Sequence, residues 1–137
     1  MKKLLLLMQG IVAFILLQSL FYKFTAHPQA TYIFTTLGIE PYGRIGIGIA
    51  ELIVSVLLFF PKTKILSTLS IIGIMIGAIF SHLFTDLGIV VKWTQVDSDG
   101  GLLFGMAVVC LLFSTIILFL HYKKNYPINS IKKAIGL

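Results

Sequence analysis

The sequence predicts an all-α fold, a transmembrane four-helix bundle of up-down-up-down topology, built as one integral membrane domain over residues 1–137. Three observations predict it. First, 58% of the residues are hydrophobic and only 12% are charged, whereas an ordinary soluble domain is about a quarter charged and at most half apolar. Second, the apolar residues gather in four runs, approximately 4–22, 43–60, 65–84 and 102–122, each close to the roughly 20 residues that cross a bilayer. Third, the basic residues flank those runs, as positive charge does around membrane spans. Four spans leave no room for a separate soluble catalytic domain.

The first run follows Lys2 and Lys3, which imitate the start of a signal peptide. Its apolar stretch is longer than a signal h-region and no A-x-A site follows it, so a retained span is expected. His27-Pro28 then breaks the helix, because proline disfavours helix in the residue before it. Residues 31–37 read as one or two helical turns at the interface, with Gly38 as C-terminal cap. Glu40-Pro41 opens the second run, with Pro41 near a first-turn position. The turn Pro61-Lys62-Thr63-Lys64 leads into the third. Asp97-Ser98-Asp99 precedes the fourth, where carboxylates suit a helix start. Beyond Pro127, the residues Ile128, Ile131 and Ile135 have near-helical spacing, and a short amphipathic surface helix is expected there.

Four spans put both ends of the chain on one side. That side holds Lys2, Lys3, Lys62, Lys64, Lys123, Lys124, Lys132 and Lys133, and the other side holds only Lys23, Arg44 and Lys92. The positive-inside rule therefore places both termini in the cytoplasm of a bacterial inner membrane. It also accounts for the net charge of +6 without a nucleic-acid partner, which would need a basic face with groove-reading residues. The lipid bilayer is the partner expected instead. Cys110 is the only cysteine, so no intramolecular disulfide can form and a core role is expected. His27, His82 and His121 lack metal-ligand spacing, and no metal site is expected. A haem would need axial ligands inside the bundle, where only His82 qualifies. Neither a phosphate loop nor a nucleophile–histidine arrangement can be placed. Gly73 with Gly77, and Gly101 with Gly105, have the spacing that brings helix backbones together in lipid. Packing within the bundle is the first reading, and a homodimer through these faces is the alternative.

Glu51 is the residue that points to function. An ionisable group within an apolar span is costly and marks a site, with a partner nearby. Topology gathers Lys23, Arg44, His82, Asp86 and Asp99 toward the same outer half, with Glu51 on the order of 10 Å in from Arg44. Two compatible readings remain open. Glu51 is a structural counter-ion for Lys23 or Arg44 with His82 as hydrogen-bond partner, since a charge in hydrocarbon must be paired. Alternatively the cluster lines a pocket for a small lipophilic molecule with a polar head, such as a quinone, or carries protons.

Several segments resemble the DoxX-like family of small four-span membrane proteins. These are Tyr22-Lys23, Leu37-Gly38-Ile39-Glu40-Pro41, Gly48-Ile49-Ala50-Glu51-Leu52, Leu57-Leu58-Phe59-Phe60-Pro61-Lys62 and Gly77-Ala78-Ile79-Phe80-Ser81-His82-Leu83. The resemblance runs over roughly residues 8–122, and Ser19 stands where the family pattern leads us to expect a glycine. It implies a subunit or accessory of a redox system, because the family includes a subunit linked to thiosulfate:quinone oxidoreduction and members linked to thiol stress. It carries over no catalytic set, and only Lys23, Glu51 and His82 transfer as motif positions. The expected function is therefore binding of a lipophilic ligand such as a quinone, with redox proteins as partners. The alternatives are a proton-coupled or small-solute transporter using Glu51, and a structural partner protein without chemistry.

Overall fold

The computed structural model describes residues 2–125 and 128–136, with the side chains of Ile128 and Ile131 outside that description. Among the described residues six helices follow one another: α1 Lys2–Phe24, α2 Pro28–Thr36, α3 Tyr42–Leu57, α4 Lys64–Phe84, α5 Leu102–Asn125 and α6 Ile128–Ala134. Among the described residues there is no strand, only an isolated pairing of Lys92 with Ser98. Among the described residues three helices, α1, α4 and α5, are long and apolar enough to cross a membrane. At 16 residues, α3 spans about 24 Å at 1.5 Å per residue.

The breaks have local causes. Ala26 takes a left-handed backbone at φ 53°, and the side chain of His27 accepts a bond from Gln29 N at 3.2 Å while Pro28 fills the first turn. Helix α2 therefore begins three residues before the expected stretch, and Gly38 ends it at φ 76°, as expected of a glycine past a helix end. Helix α3 stops at Leu57, short of the expected end at Phe60. Pro61 disfavours helix at the residue before it, and the Thr63 hydroxyl takes the Leu57 carbonyl at 2.9 Å. At the head of α5, Asp99 accepts Gly101 N at 2.8 Å and Leu103 N at 3.0 Å, and it also holds Val91 N at 2.9 Å. The amphipathic tail expected from Ile128, Ile131 and Ile135 cannot be traced in side chains, since Pro127 and the first two isoleucine side chains lie outside the described residues.

Helix α1 packs on α3 and α5, and α4 packs on α5 and α3. The core runs through Met8, Val12 and Leu16 of α1, Val54 and Leu58, Ile71 and Met75, then Ala107, Cys110 and Ile117 of α5. The spacing of four in the α1 set puts one stripe inward. Large apolar side chains such as Phe14, Phe21, Ile76, Phe80, Leu112 and Phe119 point out and stay exposed. An apolar exterior of this extent suits lipid, where helices are held by close packing and interhelical hydrogen bonds. Two such bonds tie the core: Gln9 Nε2 donates to the Leu58 carbonyl at 2.9 Å, and Ser67 Oγ donates to the Val54 carbonyl at 2.6 Å. Each is worth about 0.6 kcal/mol by the average for membrane proteins.

The glycines do not all pack as expected. Gly48 does, since a Cβ there would meet Phe24 Cε1 at 2.7 Å. At Gly73, Gly77 and Gly105 a Cβ would meet nothing within 4 Å. The missing side chains of Gly73 and Gly77 leave open space instead of drawing a neighbouring backbone close.

Candidate functional site

The open space is a cavity of about 370 Å³, within the range of small-molecule sites. Gly73, Gly77 and Ala78 of α4 form one wall, and Leu16, Gln18 and Ser19 of α1 face it. Ile33 and Phe34 of α2 reach in from the side. Its surface is mostly apolar, and its polar residues are Gln18, Ser19, Lys23, Glu51, Ser81 and His82.

Lys23 and Ser19 sit one turn apart on α1, so they share a face. That face meets α3 at Glu51, which is only 4% exposed. Lys23 Nζ lies 3.0 Å from Glu51 Oε2 and donates to Ser19 Oγ at 2.9 Å. The Ser19 hydroxyl lies 3.1 Å from the same carboxylate oxygen and 2.7 Å from the Leu16 carbonyl, and shares its single proton between them. Both contacts to the carboxylate fall on Oε2. Among the described residues Oε1 makes no hydrogen bond, and Glu51 lines the cavity.

Lys23, and not Arg44, is thus the cation facing Glu51. Arg44 is held elsewhere: its Nε meets Glu40 Oε1 at 2.8 Å, and its Nη1 donates to the Lys23 carbonyl. The second contact satisfies a carbonyl in the last turn of α1, where a positive charge also suits the helix end. Arg44 therefore fixes the backbone from which Lys23 projects. His82 is buried and lines the cavity. Its Nδ1 lies 2.7 Å from the Gly88 carbonyl, and its ring stands edge-on to Phe104 at 5.7 Å. The expected bond from His82 to Glu51 is not formed, because the chain beyond α4 turns back and supplies a backbone carbonyl first.

The remaining expected members stay outside. Asp86 is exposed and does not line the cavity. Asp99 accepts from three backbone amides at the head of α5 and does not line the cavity. Ser19, Gln18 and the pair Gly73/Gly77 belong to the cavity although the sequence reading gave them no such part. Ser19 could have been found from its spacing of four before Lys23.

A family model described as the DoxX-like family matches residues 7–116. The chain belongs to the DoxX-like family. No curated protein and no solved structure matches it. This DoxX-like protein is a small membrane protein with several apolar helices, and its Tyr22-Lys23, Glu51 and His82 segments all fall inside the matched region.

Proposed function

We propose that this DoxX-like protein binds a lipophilic molecule with a polar head, of the quinone class, and serves as a subunit or accessory of a membrane redox system. The observation that carries the reading is the pairing of half-buried Lys23 with buried Glu51, which has one carboxylate oxygen without a hydrogen bond among the described residues, at the wall of an apolar cavity of about 370 Å³. An apolar cavity with a few convergent polar groups is the usual form of a small-molecule site. The ring of an occupant would lie along Gly73 and Gly77, and its oxygens would meet Glu51 Oε1, Lys23 and His82.

The same reading takes α1, α3, α4 and α5 as four spans in up-down-up-down order. It is supported by contacts at both ends of two helix pairs. Gln9 near the start of α1 meets Leu58 just past α3, while Lys23 near the end of α1 meets Glu51 in the first half of α3. His82 near the end of α4 meets Phe104 near the start of α5, and Lys64 opening α4 lies by His121 near the end of α5. With the lysine-rich end in the cytoplasm of a bacterial inner membrane, the cavity opens toward the periplasmic half.

The test is titration of purified protein with a short-chain quinone, read by melting temperature. The wild type is expected to show a saturable rise, and Gly77→Leu, which fills the cavity and leaves the ion pair intact, is expected to lose it. Quinone binding unchanged in Gly77→Leu would remove the cavity from the reading. Proton-coupled transport is distinguished by flux in liposomes, which Glu51→Gln would abolish.

A further inference from the structure

The polar groups around the Glu51 cavity divide unevenly into donors and acceptors, and the imbalance bears on which molecule fits. The donors are largely turned back on the chain. Ser81 Oγ donates to the Gly77 carbonyl at 2.8 Å, and Gln18 Nε2 donates to the Ile15 carbonyl at 3.1 Å. The Ser19 proton is already shared between Leu16 and Glu51. Lys23 spends two of its N–H groups on Glu51 and Ser19, which leaves one of an ammonium's three.

The acceptors are a different matter. Both neighbours of the Glu51 carboxylate meet Oε2, and Oε1 makes no hydrogen bond among the described residues. With an ammonium at 3.0 Å, the group is an ionised carboxylate, which accepts and does not donate. His82 supplies a second acceptor. Its Nδ1 lies 2.7 Å from the Gly88 carbonyl. A carbonyl can only accept, so Nδ1 carries the proton of the neutral ring and Nε2 keeps a bare lone pair. Among the described residues Nε2 makes no hydrogen bond either. Glu51 is 4% and His82 is 7% exposed, and both line the cavity. Yet among the described residues the unpartnered atoms that protein seals off are Glu40 Oε2 and Ser114 Oγ, and not these two. Glu51 Oε1 and His82 Nε2 therefore reach open space, and the cavity is the space that their residues line. The turn after α4 sets the second acceptor. Gly88 takes a left-handed backbone at φ 71°, which a residue without a Cβ adopts freely, and its carbonyl fixes the His82 tautomer.

Resting on the ligand-site reading above, we infer that the cavity selects the reduced member of the quinone couple, a quinol, through Glu51 Oε1 and His82 Nε2. A quinol presents two hydroxyl protons, one for each acceptor, and its oxygens still accept from Lys23. A quinone presents carbonyl oxygens and no such proton. It is met by the N–H left on Lys23, while Glu51 Oε1 and His82 Nε2 face it unpaired. A buried polar group left without a partner weakens binding by about tenfold or more. A site built to bond a hydroxyl also rejects the analogue lacking it far more sharply than an apolar wall does. Glu51 and His82 are specificity-determining residues on this assignment, and Gly88 is a positioning residue that acts through His82.

Equilibrium binding of short-chain probes to the purified full chain, kept anaerobic, tests the selection. The probes are a benzoquinol, its quinone and its dimethyl ether, which keeps the ring and removes both hydroxyl protons. The wild type is expected to bind the quinol at least about tenfold more tightly than the quinone or the ether. His82→Leu is expected to weaken the quinol by about tenfold and leave the other two near their wild-type affinities, so that the preference narrows. A fall in all three that keeps their ratio would overturn the role of His82. Equal or tighter binding of the quinone by the wild type would overturn the selection and leave the cavity reading standing. Binding of none of the probes would overturn the cavity reading, and the selection with it. Nitrogen NMR of histidine-labelled protein at alkaline pH reads the tautomer without any ligand, even should His82→Leu not fold. The His82 proton is expected on Nδ1 with Nε2 bare, and a proton on Nε2 would overturn the selection.

Discussion

Glu51 and Lys64 are both charged groups buried by protein, one at each end of the molecule, and they are treated in opposite ways. Glu51 is met by Lys23 at 3.0 Å and by Ser19 at 3.1 Å. Among the described residues Lys64 makes no ion pair, and it lies within electrostatic reach of Lys124 and His121. Pairing makes the first charge part of the fold, so its removal strands a partner. The second charge lacks any such partner within the described chain, so its removal strands nothing. The difference teaches that burial alone does not say whether a charge holds a membrane protein together; the sign of the mutational effect does.

The largest expected effect tests that contrast directly. Glu51→Ala leaves the Lys23 ammonium unpaired in a mostly buried setting and is expected to destabilise the protein by about 3 kcal/mol, read as a loss of unfolding free energy in a denaturing-detergent titration. Replacing both partners, Glu51→Leu with Lys23→Met, is expected to recover most of that loss, since a well-packed apolar pair is often as stable as a buried ion pair. An unchanged melting temperature in Glu51→Ala would show that the pair contributes nothing to the fold.

Next in size is Asp99→Ala, expected to cost about 1–2 kcal/mol through loss of the α5 cap, with amide exchange rising at Val91, Gly101 and Leu103. Smaller, and opposite in sign, is Lys64→Met in a neutral detergent. Relief from the helix dipole and from Lys124 is expected to stabilise the protein by about 0.5–1 kcal/mol. Destabilisation in neutral detergent would mean that Lys64 is already satisfied, and the contrast with Glu51 would fail. The smallest change is expected of Gly77→Leu, because a Cβ there meets nothing within 4 Å; stability within about 1 kcal/mol of wild type is expected, even though ligand binding is lost.

Much of the architecture was legible because hydrocarbon imposes a simple rule on sequence. Long apolar runs, the breaks at His27-Pro28 and Pro61, and the cap at Asp99 all follow from one or two residues read locally. Membership of the DoxX-like family was legible too, from short segments in a fixed order. The ending of α3 at Leu57 was not, because it depends on a hydroxyl six residues away. The choice of Lys23 over Arg44 for Glu51 was also hidden. Both cations stand near Glu51 in the topology, and what separates them is that Glu40 and the Lys23 carbonyl engage Arg44 first. The glycine pair at 73 and 77 was read through its spacing as a packing motif. Spacing cannot tell a glycine that admits a helix from one that leaves room for a guest, since both need only the absence of a Cβ. Lys64 was counted among flanking charges, because nothing in its sequence neighbourhood marks it as the one that folding covers.

The length of α3 carries a consequence of its own. A helix of 16 residues falls about 6 Å short of a hydrocarbon layer some 30 Å thick, while α1 with 23 residues and α5 with 24 exceed it. If α3 is the fourth span, as proposed above, a helix shorter than the hydrocarbon is accommodated by thinning of the bilayer beside it, and the longer helices by tilt. On that reading the protein deforms its surroundings unevenly, and membranes of lower thickness accommodate its α3 side at less cost.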